Sequence, residues 1–278
     1  MKKLIMFLAA LVIVLALAGF FLLDWGKKEN KENLAGGPLT FTELTAVRGN
    51  ELHDSVFVKL VCATAGEPRL VAAINECISE KLGGTYTGSY LDAQALVDHY
   101  AAQRQQQQAD TRKEFEVQPE DVEYYNRIKG YVLYETDKLV TLQFTEEGYS
   151  GGAHGWFTVD GMTLRKADGR KLVSQDILLS TSKYAPDEEW AAIMNQDLKK
   201  SLDIEGKTDD ELMDELQLLN PEIGIPLPEA EPYFTKDGLF FPYQQYEICS
   251  YAQGMPDFTI PYDKLDKYLN TTGKNLVK

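Results

Sequence analysis

The sequence predicts an α+β fold: antiparallel sheets with helices packed on one side, preceded by one N-terminal transmembrane helix. Three observations point to it. Several runs place apolar residues at every second position and are joined by short turns, as antiparallel neighbours in a meander are. Other segments repeat their apolar residues every three or four positions, the single stripe of a helix laid on a core. The chain also opens with Lys2 and Lys3, followed by an uncharged apolar run from Leu4 to Leu23. Twenty residues at about 1.5 Å each span about 30 Å, the thickness of one hydrocarbon core.

The charges flanking that run set its direction. The α-amine, Lys2 and Lys3 precede it, whereas Asp24, Glu29 and Glu32 offset Lys27, Lys28 and Lys31 after it. The positive-inside rule leaves the short N terminus in the cytoplasm and sends the remainder outward. The run (residues 1–23 with its flank) is either an uncleaved signal-anchor in the cytoplasmic membrane or a signal peptide cleaved after Ala18, which would release a secreted protein. Phe20 to Leu23 stay apolar past the Ala16-Leu17-Ala18 box, which favours the anchor. Both alternatives make the globular part extracytoplasmic. No Cys follows the run, as a lipoprotein anchor would require. Residues 24–40 are polar, contain Ala35-Gly36-Gly37-Pro38 and read as a tether.

Beyond the tether, a boundary at 118–124 divides an N-terminal α+β subdomain, residues 41–120, from a C-terminal α+β domain, residues 121–278. In the first, Leu39–Val47 and Leu52–Ala63 are strand-like, with Val56, Val58, Leu60 and Cys62 at period two. Gly66-Glu67-Pro68 opens a helix whose stripe is Leu70, Ile74, Ile78 and Leu82, and Gly83-Gly84 ends it. A second helix runs over Leu91–Glu114, turning Leu91, Ala95, Leu96 and Tyr100 inward. Its Gln103–Gln108 stretch is polar all round, a solvated extension.

In the second, Ile128–Tyr134, Leu139–Phe144 and Trp156–Met162 are strand-like, with turns at Thr136-Asp137-Lys138 and Ala167-Asp168-Gly169-Arg170. Gly161–Leu178 reads as a hairpin leading into a short helix. Asp187–Leu202 places Trp190, Ile193, Met194, Leu198 and Leu202 on one helical face, and Thr208-x-x-Glu211 is a capping box opening a helix to Leu219. Pro221, Pro226, Pro228 and Pro232 mark an irregular crossing. Tyr233–Phe241 and Tyr246–Tyr251 then read as strands, and Pro261–Leu269 as a closing helix.

A hydrophobic content of 44% and an aromatic content of 11% support a packed core and exclude a disordered chain. Residues 24–278 carry all 43 acidic residues and all but two of the 28 basic ones, a net charge of −17. Such a field repels nucleic acid and anionic lipid and attracts a cationic protein. Cys62, Cys77 and Cys249 have no zinc-site spacing, and a Cys62–Cys77 disulfide stands open beside ordinary buried thiols. No cofactor and no metal is implied.

Chemistry concentrates in two stretches. Tyr149-Ser-Gly-Gly-Ala-His-Gly-Trp156 holds four small residues that let the backbone turn sharply around His154. Such a His is a base, a ligand or a structural donor, and no partner carboxylate or nucleophile stands at a recognisable spacing. Leu239–Gly254 supplies Phe241, Tyr243, Tyr246 and Tyr251, contact residues if exposed and core if buried. Paired acids at Glu146-Glu147, Glu188-Glu189 and Asp209-Asp210 do not by themselves make a glycosidase, which needs two carboxyls held across a cleft.

Tyr149-x-Gly-Gly-Ala-His154, the Asp168-Gly169-Arg170-Lys171-Leu172 turn, Tyr246-Glu-Ile-x-x-Tyr251-Ala-x-Gly254 and Ile260-Pro261-Tyr262 resemble the C-terminal extracytoplasmic domain of the lysozyme-responsive anti-sigma factor of bacilli. Val56 to Leu82, with its Ile74-Asn75, is similar to the domain that precedes it there, so the likeness covers about residues 45–275. The same pair occurs in some peptidoglycan deacetylases. In the anti-sigma factor this module binds lysozyme. With Met1–Lys3 alone inside and no deacetylase domain after Lys278, the expectation is the envelope module on an anchor.

The chain therefore reads as a membrane-anchored, non-catalytic binding domain of a bacterial envelope. Its partner is a lysozyme-like cationic protein or a peptidoglycan fragment, engaged by Tyr149, Gly151, Gly152, His154, Trp156, Tyr246 and Tyr251. The alternatives are a cell-wall hydrolase or deacetylase-like enzyme using His154 and a structural or assembly role.

Overall fold

The computed structural model describes residues 37–50, 53–179, 187–218, 221 and 224–277. The expected membrane helix at residues 4–23 and most of the tether lie outside them. Among the described residues no helix is long and apolar enough to cross a membrane.

β1 (Thr40–Asn50) and β2 (His53–Ala65) pair antiparallel. Period two in β2 sends Val56, Val58, Leu60 and Cys62 to one face, where all four are wholly buried. α1 (Pro68–Lys81) starts at Glu67, whose carboxylate accepts the Leu70 N–H at 2.9 Å, and lays Val71, Ile74 and Ile78 on that face. α2 (Ala93–Glu114) is capped by Asp92, which accepts the Ala95 N–H at 3.1 Å, and adds Leu96, Val97 and Tyr100. Asn75 ties the layers together. Its amide donates to the carbonyls of Ala63 (2.9 Å) and Tyr90 (2.8 Å), and its oxygen accepts the Ala63 N–H (3.0 Å).

The polar stretch of α2 is solvated on one side only, where Gln105, Gln106 and Gln107 are exposed. Arg104, Gln108 and Arg112 recur every four residues along the sheet side of the helix, and the last two are only 6% exposed. Arg104 grips Glu146 with two bonds, 2.8 and 3.2 Å. Arg112 bonds Asp54 (2.6 Å) and the carbonyls of Gln118 and Val122, and lies 3.9 Å over the Tyr124 ring. A helical stripe neutralised by acids on distant strands leaves no apolar period to read.

β3 (Tyr125–Glu135) runs parallel to β2, which corrects the expectation of purely antiparallel sheets. The two helices return the chain to the starting end of β2 before the next strand begins, and that crossover makes the neighbour parallel. β4 (Leu139–Tyr149), β5 (Trp156–Arg165) and β6 (Lys171–Leu172) follow antiparallel, so the order is β1-β2-β3-β4-β5-β6, continuous across residues 118–124.

α3 (Ser174–Ile177), α4 (Glu188–Ser201) and α5 (Asp209–Glu215) come next, the last opened by the Thr208–Glu211 capping box. β7 (Tyr233–Phe234), β8 (Gly238–Pro242) and β9 (Asp257–Pro261) form a second, antiparallel sheet. This sheet packs on the face of β4–β5 opposite α1 and α2. There Thr163 Oγ1 accepts the Phe234 N–H at 3.0 Å, and Gln143 donates to the Tyr233 hydroxyl at 2.7 Å. Gly161 is required at this contact, since a Cβ would stand 2.4 Å from the Tyr233 ring. On its far side α4 brings Trp190 against Phe241, Phe258 and Tyr268, with ring centroids 5.4, 6.5 and 4.8 Å away.

The closing helix is shorter than expected. α6 (Tyr262–Leu265) stops early, and α7 (Thr271–Val277) follows after a turn. Asn270 starts α7 by accepting the Gly273 N–H at 3.0 Å, a side-chain bond that no periodicity announces. All three cysteines are free, with Cys62 and Cys249 buried, so Cys62 and Cys77 are not joined.

Candidate functional site

The β4–β5 connection is built by its glycines. Gly151 (φ 89°) and Gly152 (φ 99°) adopt left-handed backbone, and the Tyr149 hydroxyl pins the turn by donating to the Gly152 carbonyl at 2.9 Å. Gly148 and Trp156 face each other across the strands. A Cβ on Gly148 would meet the indole at 2.7 Å, so the glycine lets Trp156 lie flat there, 38% exposed.

The expected strand Tyr246–Tyr251 is not one. Tyr246 has φ 67°, and Tyr251–Gln253 is a turn of 3-10 helix. The segment instead docks on β5 through side-chain amides. Gln244 donates to the Val159 carbonyl (2.6 Å) and accepts its N–H (3.3 Å), while Gln245 accepts the Phe157 N–H (3.2 Å). β6 pairs with β5 only at Thr163 and Leu164, so this stretch of edge is open to them. Glu247 holds the turn, accepting the N–H groups of Gln244 and Glu229, both at 2.7 Å.

Docking joins the two stretches singled out in the sequence. The His154 ring stacks on Tyr251, with centroids 3.9 Å apart and planes 24° apart. Its Nε2 lies 3.0 Å from the Tyr246 hydroxyl, and its Nδ1 lies 2.8 Å from the Gly155 carbonyl, to which the Tyr251 hydroxyl also donates at 3.1 Å. A carbonyl only accepts, so Nδ1 carries the hydrogen; in the neutral ring Nε2 then accepts from Tyr246. Tyr246 is 59% exposed, and its ring centroid is 5.7 Å from that of Tyr251.

His154, Tyr246 and Tyr251 thus form one ring cluster, with His154 and Tyr246 exposed and Tyr251 half-buried. Tyr149, Gly151 and Gly152 shape the loop beneath it, and Trp156 packs over Gly148 on the adjoining strand. Gln244, Gln245 and Gly155, which position the cluster, went unassigned in the sequence, because a positive φ at a tyrosine leaves no trace in composition.

Among the described residues no carboxylate, serine or cysteine bonds to His154. Glu146 and Glu147 point to opposite faces of β4, toward Arg104 and Arg127 respectively. Glu189 is engaged by Lys264 and Lys267, and Asp209 by Lys199. Among the described residues no three His, Cys, Asp or Glu are grouped to hold a metal ion.

Residues 176–263 match the family model "Protein of unknown function (DUF3298)". The DUF3298 match starts after the His154 loop and includes Tyr246 and Tyr251. No curated protein matches the chain. A DUF3298 family member from Bacteroides fragilis has a similar crystal structure, with TM-score 0.61 and 21% identity over 88% of this chain and 99% of that one. A DUF3298 family protein from Pseudomonas aeruginosa gives TM-score 0.56 and 17% identity over 85% and 96%. At these identities the likeness is one of fold, and it reaches well upstream of the DUF3298 segment.

Proposed function

We propose that the chain is a non-catalytic binding module of a bacterial cell envelope, anchored through residues 4–23, and that the His154–Tyr246–Tyr251 cluster is its contact surface. The observation carrying this reading is that both His154 ring nitrogens are engaged, by Gly155 and Tyr246, while ring faces remain open to solvent. A hydrolase triad pairs one histidine nitrogen with an orienting carboxylate and the other with a serine or cysteine nucleophile, whereas His154 is held by a backbone carbonyl and a tyrosine hydroxyl. Exposed, rigid tyrosines are contact residues of low ordering cost.

The partner that fits best is a cationic protein of lysozyme type. The net charge of −15 steers such a partner in, and the resemblance to the lysozyme-responsive anti-sigma factor names that class. A peptidoglycan fragment is the second reading, favoured by Trp156 and Tyr246 as platforms for sugar rings. Retention of lysozyme and of isolated sacculi on the immobilised full chain, at near-physiological salt, separates them. Retention of lysozyme that falls about tenfold with Tyr246→Ala supports the first. Retention equal to that on an unrelated domain of similar charge contradicts it.

A further inference from the structure

The second sheet covers only the β4–β5 end of its face of the six-stranded sheet. Among the described residues nothing covers that face along β1–β3, and Val47, Ser55, Phe57, Glu123, Arg127 and Lys129 line a hollow of about 520 Å³. This is within the size range of small-ligand sites. Register builds it: Val47 lies opposite Phe57, Phe57 beside Arg127, and Lys59 beside Lys129. Val47 is 65% exposed and gives the hollow an apolar wall.

The charges around it are only partly paired. Lys59 is paired with Glu43 at 2.9 Å, and Arg127 reaches Glu147 at 3.5 Å while lying 4.7 Å over the Tyr125 ring. Lys129 and Glu123 have no ion-pair partner among the described residues, and Lys129 stands beside Lys59, an arrangement that costs stability. Among the described residues the hollow therefore has an unpaired cation toward one end and an unpaired anion toward the other, with Arg127, Ser55 and the apolar Val47 and Phe57 also lining it.

We propose that this hollow binds a free tripeptide with small apolar side chains, its carboxylate on Lys129 and Arg127 and its α-amine on Glu123. Six residues separate positions 123 and 129, at most about 20 Å of extended backbone. An extended tripeptide is roughly 10 Å long, and the Lys129 and Glu123 side chains are long enough to close the difference. The fork of Arg127 suits a carboxylate, and the point charge of Lys129 adds to it. The site's nearest strand, β3, is two strands from β5, on whose edge Gln244 docks, and the site does not depend on the ring cluster.

Calorimetric titration of the full chain with trialanine tests it, alongside trialaninamide and N-acetyl-trialanine. Trialanine saturates the protein with a Kd on the order of 1 mM. The amide binds about tenfold more weakly and the acetylated peptide about threefold. Lys129→Met weakens trialanine binding about threefold and narrows the preference for the acid, Arg127 keeping the remainder, and Glu123→Gln lowers trialanine binding to the level of the acetylated peptide. Both side chains are exposed, so these variants keep the fold. Absence of saturation at ten times that concentration, equal binding of acid and amide, or an unchanged preference in Lys129→Met would overturn the assignment, whatever the fate of the ring cluster.

Discussion

At the scale of single residues, the fold leans on a few polar groups that no apolar pattern predicts. Asn75 is wholly buried and satisfies three backbone groups of Ala63 and Tyr90. Asn75→Ala orphans them, so urea unfolding is expected to show a loss of about 3 kcal/mol. The cysteines behave as core residues. Burial pushes the Cys62 thiol up to about 12, so it resists alkylation in the native state, and three thiols react after unfolding without reductant. A count of one would mean that a disulfide forms after all. His154 was legible as unusual from the small residues around it, but its role was not. Its two hydrogen bonds depend on Gly155 and on Tyr246, ninety-two positions away, and such a distance cannot be read along the chain.

At the scale of elements, what the sequence told depended on how each element is stabilised. β2 and α1 bury apolar stripes, and period two and the four-residue recurrence disclose them. The polar side of α2, the docked turn at Gln244–Cys249 and the cap of α7 are held by side-chain hydrogen bonds to distant partners, and they were misread or missed. α4 permits a pH test. Its cap, Asp187, accepts from the Tyr268 hydroxyl (2.6 Å), the Trp190 N–H (2.9 Å) and Lys267 (2.9 Å). These donors, Tyr268 foremost, hold its carboxyl at about 2, below the ordinary 3.8. A carboxyl lowered by folding stabilises the fold fully above the unfolded value and loses that contribution as pH falls through the folded one. The thermal midpoint of Asp187→Ala is therefore below wild type at pH 7, and the gap closes between pH 4 and pH 2. The junction of the sheets gives a second test. Gly161→Ala drives a methyl into the Tyr233 ring and is expected to cost about 1–3 kcal/mol in urea unfolding, without loss of helical signal.

At the scale of the whole molecule, two sheets and their helices serve to bring one loop and one turn together. The α+β class was legible because it follows from local periodicity. The parallel β2–β3 pair was not, because it follows from where a two-helix crossover delivers the chain. The glycine-rich loop and the tyrosine segment were both visible as anomalies, but their meeting depends on the open edge of β5. The central claim is that this meeting point is the surface the protein offers to a partner. Hydrogen exchange on the full chain, with and without lysozyme at near-physiological salt, tests it most directly. The predicted result is added protection confined to residues 149–156 and 244–253. Unchanged exchange in both segments under saturating lysozyme, or protection that falls only elsewhere, would contradict it.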